Sequence, residues 1–184
     1  KANKLFQEVF PEQVDFNGEF SVFSKLVVDR LSVFIKSNKL EIFTSGPEII
    51  SPDLVSKMEE RLAASFGANS ITIHVRCTHE YEIKEFLDIM WNELIQMLNR
   101  KVAVCRGLLT GSTCEYADGK LLIRLTTKGS QILKSQNCHT ILEQYIEDTI
   151  SKRVKVEFRD IEVDSSILEE YVAEKEKTEA QVIS

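Results

Sequence analysis

Long apolar runs are missing from this sequence. No stretch approaches the roughly eighteen consecutive apolar residues that a membrane-crossing helix needs. The basic, apolar and small-residue succession of a secretory signal is absent as well. Cys-x-x-Cys spacing does not occur. Cys77, Cys105, Cys114 and Cys138 form no regular framework, and with the missing signal this points to reduced thiols in a cytoplasmic protein. Phosphate-binding glycine motifs are also lacking. Residues 107–111, Gly-Leu-Leu-Thr-Gly, have the spacing of neither a P-loop nor a dinucleotide turn, and no Lys-Ser/Thr follows to hold phosphate and magnesium, so they read as a connection.

An excess of positive charge is absent too. The net charge is −1 over residues 1–77, −1 over 78–163 and −4 over 164–184. Tight general DNA binding draws on phosphate neutralisation, which near-neutral units with an acidic tail supply poorly. Lys152, Arg153 and Lys155, with Arg100, Lys101 and Arg106, would form a local basic patch only if the fold gathered them, and a solvated face is the expectation. Asp88, Glu93, Asp118 and Asp160 show no paired spacing for a two-metal or acid-base site. Cys77 with His79 and Cys138 with His139 offer two short pairs of zinc-type ligands, but their spacing matches no common zinc module and the residues read as structural. His74 lies on the polar face of a strand as an exposed cross-strand residue, with no carboxylate or nucleophile placed beside it by sequence.

What is present is periodicity. With 43% hydrophobic and 28% charged residues, the 184-residue chain has the composition of an ordinary packed core, in one domain or two small ones. The clearest element is a long helix from Ile83. Phe86, Leu87, Met90, Leu94, Met97 and Leu98 make its core stripe, Lys84, Glu85, Asp88, Asn92, Gln96 and Asn99 fall opposite, and Trp91 and Ile95 sit at the margin as seam residues. Thr78 is the expected cap. Asp118-Gly119 joins two short β-prone runs, 113–117 and 120–126, as a tight hairpin. Thr127 is placed to cap a helix containing Ile132 and Leu133. A break at 135–137 precedes a second helix with Ile141, Leu142, Tyr145, Ile146 and Ile150, and Val154, Val156 and Phe158 alternate as a closing strand.

The first part has its own order. Leu5, Phe6, Val9 and Phe10 suggest a short helix ended by Pro11, followed by a loop-like stretch that Phe16 and Phe20 could anchor. Residues 25–36 and 39–44 read as a hairpin around Ser37-Asn38. Ser51, Pro52 and Asp53 start a helix carrying Val55, Met58, Leu62 and Phe66 and stopping at Gly67. Ile71, Ile73, Val75 and Cys77 then alternate as a half-buried strand. The expected architecture is α+β in two small domains, β-β-α-β over 1–77 and α-β-β-α-α-β over 78–163. A charged tail follows over 164–184, beginning as a helix on the domain at Leu168, Tyr171 and Val172 and continuing as a solvated linker. A charged stretch at the end fits a piece cut from a longer protein.

In order along the chain stand Lys39-Leu-Glu-Ile-Phe, the helix over 54–66 with its Glu-Arg-Leu-Ala-Ala-Ser-Phe end, the strand over 71–75, Trp91-Asn-Glu-Leu-Ile, Asp118-Gly-Lys-Leu-Leu-Ile-Arg-Leu and the strand over 154–158. This succession, covering nearly the whole chain, resembles the N-terminal region of PolC-type DNA polymerase III α subunits. The second domain is similar to the type II KH-like arrangement, including the C-terminal domain of the clamp-loader τ subunit. KH domains that grip nucleic acid use a Gly-x-x-Gly loop. The matching position here, Lys134-Ser135-Gln136-Asn137, has neither glycine, which favours protein contact.

The resemblance implies a non-catalytic interaction region that positions a bacterial replicative polymerase in the replisome. Its partner would be a replisome protein such as clamp-loader τ or another polymerase-associated protein, with DNA engaged through the parent chain and no membrane. The parent would be a DNA-directed DNA polymerase with 3'-5' exonuclease activity, using magnesium. No catalytic, cofactor-binding or metal-ligating residue is expected within this chain. A nucleic-acid-binding KH-like module is the principal alternative, and a stand-alone small enzyme the third.

Overall fold

Two hairpins, each followed by a helical crossover into a parallel strand, organise the chain. The structure is a computed structural model that describes residues 3–15, 17–162 and 165–183, with the side chains of 165–168 outside that description. The proposed anchor Phe16 and the tail residue Leu168 therefore lie outside the described residues and side chains.

The first sheet has the order β1-β2-β3-β4, with β1 at Lys4–Leu5, β2 at Val27–Phe34, β3 at Lys39–Gly46 and β4 at Ser70–Cys77. β2 and β3 are the expected hairpin. Asn38 takes the left-handed conformation at its turn (φ 50°), which asparagine tolerates better than most residues. β3 and β4 run parallel across α2, Pro52–Phe66. Met58 and Leu62 of α2 are fully buried, whereas Phe66 ends up 58% exposed, on the edge of Phe10 rather than in the core. Ser51 is the N-cap of α2, but its side chain makes no capping bond.

β1 is an addition to the β-β-α-β expectation. Leu5 belongs to this edge strand, paired with Val27, and the helical turn α1 covers only Phe6–Val9. A two-residue strand has no periodicity to read. It forms because Phe6 N–H reaches Leu26 O and Glu8 accepts the Leu5 N–H. The loop-like stretch beyond it carries a 3-10 helix, Glu19–Lys25, that seats Phe20 and Phe23 in the first core.

The second sheet has the order β5-β6-β7, from Thr113–Ala117, Lys120–Arg124 and Lys155–Arg159. Asp118 and Gly119 both have positive φ (51° and 77°), the requirement of a primed two-residue hairpin turn. α3, Ile83–Lys101, buries all six residues of its expected stripe, with Trp91 and Ile95 half-buried against the same core. Thr78 does not cap it. Glu82 holds that position, and Thr78 ends β4 by bonding to Gly46 O.

β6 returns to β7 in parallel through α4, Ser130–Ser135, and α5, Cys138–Ile150. The start of α4 also differs from expectation. Its N-cap position is Gly129, not Thr127, and the acceptor comes from 30 residues away. Asp160 accepts from Gly129 N–H (2.8 Å), Ser130 N–H (2.8 Å) and Ser130 Oγ (2.9 Å). Those N–H donors hold the Asp160 carboxyl below its ordinary range, Gly129 first and Ser130 next. The carboxylate therefore contributes stability above its unfolded pKa of about 4, which is lost as pH falls through the lower folded value. Asp160→Asn is expected to lower the melting temperature at pH 7 and to flatten the melting curve's fall below about pH 4. Circular dichroism melts across pH check both.

The two units repeat one layout. Each has a hairpin, a crossover helix and a parallel strand, and in each a glutamate of that helix accepts an N–H from the last strand. Glu59 takes Ile73 N–H at 2.7 Å and Glu143 takes Val156 N–H at 2.9 Å. Met58-Glu59-x-x-Leu62 and Leu142-Glu143-x-x-Ile146 occupy matching places, with the apolar members fully buried. After Asp160 the chain enters α6, Ser165–Ile183, helical throughout, with residues 169–183 exposed, Tyr171 and Val172 among them. The expected linker is thus a helix, as its alanine, glutamate and lysine content favours.

Candidate functional site

The edge of β4 is where the units meet. α5 lies along it, and α2 faces α3 on the same side. Between them is a cavity of about 550 Å³, lined by Glu59, Thr72, His74, Arg100, Lys101, Tyr145 and Asp148 among others. Arg100 of α3 pairs with Asp53 of α2 at 3.2 Å, tying the units across the opening. Burial pushes the Glu59 carboxyl above its ordinary range, against the opposing pull of Ile73 N–H and Lys101. Burial likewise raises the Tyr145 hydroxyl to about 12.

His74 is more enclosed than a solvent-facing strand residue. Its ring stacks on Phe43 at 4.4 Å and 8°, and the Arg30 guanidinium lies 4.1 Å from the centre of the Phe43 ring. Register explains the row, because Arg30, Phe43 and His74 are cross-strand partners on β2, β3 and β4. The carboxylates that sequence alone could not place are Glu41, 3.9 Å from Nε2, and Asp148, 3.8 Å from Nδ1. Both distances exceed hydrogen-bond reach, and Nε2 is buried without a hydrogen-bond partner. Among the described residues no hydroxyl or thiol is hydrogen-bonded to the His74 ring or the Glu59 carboxylate, and Thr44 Oγ1 donates to the backbone O of His74 at 2.9 Å. Packing of α5 on β4 and of α2 on α3, with the Arg100–Asp53 pair, joins the two units, whereas the His74–Phe43 stack and the Glu59 cap on Ile73 lie within the first unit.

The other residues singled out by sequence go to separate places. Lys152 pairs with Glu82 (3.5 Å) and Arg153 with Glu147 (3.0 Å), while Arg106 donates to Asn99 O. Arg100 and Lys101 line the junction, and Lys155 is exposed on β7. Cys77 bonds to Pro47 O, whereas Cys138 lies in the second core with its sulfur 3.1 Å from that of Cys105. Burial and the neighbouring thiol push Cys138 up to about 12, so it stays protonated at neutral pH. His79 packs edge-on against Tyr81. The structure does not bring the two Cys/His pairs together, and among the described residues no group of three or more potential metal ligands forms.

The turn between α4 and α5 is closed on itself. Gln136 N–H bonds to Ile132 O and Asn137 N–H to Lys134 O, both at 3.0 Å, while Asn137 takes a left-handed conformation (φ 56°). These amides are already used, where a Gly-x-x-Gly loop lets a phosphate backbone come close. Residues 107–111 form the connection expected of them, with Gly107 and Gly111 at positive φ and Leu109 buried between. Sequence reasoning missed Glu59 and Glu143. Their only signal was the repeated apolar-Glu-x-x-apolar pattern of two helices, which is common in any amphipathic helix.

No helix among the described residues is long and apolar enough to cross a membrane. Comparison with curated proteins and with solved structures returned no match. Two family profiles do match, DNA polymerase III polC-type N-terminus I over residues 5–77 and polC-type N-terminus II over residues 89–184. Arranged in that order and covering both units, they show that this chain belongs to the PolC-type DNA polymerase III family, as its N-terminal region.

Proposed function

We propose that this chain is a non-catalytic interaction region that positions a cytoplasmic replicative polymerase through protein contacts. Residues 1–77 and 78–163 act as its two domains, and 164–184 as the tail. Membership of the polC-type N-terminal family supports the replicative setting. The observation that favours protein over nucleic acid is the turn at residues 134–137. The α-β-β-α-α-β order of the second unit suits a KH-like module, yet the amides of that turn are bonded internally and no glycine opens it to phosphate. The parent polymerase would use magnesium and carry the 3'-5' exonuclease elsewhere in its sequence.

The purified chain is expected neither to extend a primer nor to shorten its 3' end in the presence of magnesium, and to capture purified clamp-loader τ or another purified replisome subunit. Nucleotide incorporation or end removal would overturn the non-catalytic assignment. Failure to hold any replisome subunit would overturn the positioning role.

A further inference from the structure

The sheet margins of this protein are finished in different ways. β4 has its edge amide at Ile73 capped by Glu59 and is covered by α5. β7 has Val156 N–H capped by Glu143. β5 turns only Thr113, Glu115 and Ala117 to solvent as fully exposed residues. Such devices keep sheet edges from recruiting other strands. β2 lacks them. β1 pairs with it only at Val27 and Val28, and beyond that point no described residue pairs with its outer side. That stretch is also apolar, with Leu31, Val33 (68% exposed), Phe34 and Ile35 (87% exposed) open to solvent. Phe66 adds to the same end of the unit, because Asn38 Nδ2 bonds to Gly67 O and Asn69 Nδ2 to Ser37 O, fixing the end of α2 beside the hairpin tip.

We infer that the outer edge of β2 over residues 30–34 takes up an extended acidic peptide segment of a partner protein as an added strand. The inference rests on the protein-contact reading and names the chemistry of that contact. An extended backbone is required because a strand edge presents alternating N–H and C=O groups at about 3.3 Å per residue, which only another strand matches. Apolar side chains at alternate positions of the incoming segment meet Leu31 and Val33, two residues apart on one face. The acidic character follows from the surroundings. The exposed cations Arg30, Lys36 and Lys39 outnumber the carboxylates nearby, Asp29, which accepts from Asn3, and the half-buried Glu41 opposite Ser32. A second copy of this chain would bring the same cations against themselves, so a heterologous segment is the better complement.

The test uses the whole chain and a short fluorescent peptide alternating valine and glutamate. Binding by anisotropy is expected, with slowed amide exchange at residues 30–34. A peptide methylated on alternate backbone nitrogens should not bind. Leu31→Lys with Val33→Lys changes only exposed side chains, so the melting temperature should hold while affinity falls roughly ten-fold or more. Val104→Lys, exposed in the other unit, should change nothing. No binding of the valine-glutamate peptide, or binding that survives the double lysine change, would overturn the inference. So would concentration-dependent dimerisation in sedimentation that the double change abolishes, because the edge would then serve a second copy. If the double-lysine chain still captures a purified replisome subunit, the edge is excluded while the positioning role stands. If the unaltered chain holds neither peptide nor subunit, both fail together.

Discussion

Phe86→Ala is expected to destabilise the second unit by about 3–5 kcal/mol, the usual cost of emptying a buried aromatic site. Phe86 is fully buried on α3, in the same core as Leu121 and Ile123 of β6 and Leu142 and Ile146 of α5. Truncation therefore leaves a cavity facing both the sheet and the opposite helices. A loss of that size is a large share of the 5–15 kcal/mol that holds a typical domain. The first unit has a separate core built on Phe6, Phe23, Ile42, Met58 and Leu62. Hydrogen exchange should then show the amides of β5, β6 and β7 losing protection while those of β2 and β3 keep most of theirs. Equal loss in both sheets would mean that the junction couples the units into one cooperative block.

Glu59→Ala is expected to cost about 1–3 kcal/mol by leaving the Ile73 amide without an acceptor at a half-covered strand edge. Glutamine keeps a carbonyl oxygen for that amide and removes the buried charge, so Glu59→Gln should be close to neutral at pH 7. The pH dependence separates the two roles of this side chain. Burial raises the folded pKa of Glu59 above its unfolded value, so its protonated form favours the folded state. That contribution is complete below the unfolded pKa of about 4.5 and is lost as pH rises through the folded one. Urea unfolding on either side of that window should show the wild-type chain losing stability relative to Glu59→Gln as pH rises. A glutamine variant as unstable as the alanine one would show that the charge, through Lys101, matters more than the bond to Ile73.

The parts of this fold that were legible in the sequence are those written at short range. The stripe from Phe86 to Leu98 lies in a helix of nineteen residues, long enough for its period to be unambiguous. Asp118-Gly119 specifies a turn by the backbone angles it permits, and the alternation from Ile71 to Cys77 marks β4. What stayed hidden depends on residues far apart in the chain. Asp160 reads as an isolated acid until the fold brings it 30 residues back to the start of α4. Glu59 and Glu143 look like solvent-facing helix residues until a strand places an amide beside them. Likewise the stack on His74 needs the β2-β3-β4 register, and its neighbour Asp148 arrives only because α5 lies on β4. β1 was missed because its pairing partner, not its own two residues, defines it.

On the proposed reading this region meets proteins and leaves nucleic acid to other parts of the polymerase. Fluorescence anisotropy of a labelled primer-template, titrated with the 184-residue chain at low and at physiological salt, tests it most directly. A flat titration is expected at physiological salt. Saturable binding there, weakening steeply as salt is raised, would contradict it and make the cations of these two units a phosphate-binding surface.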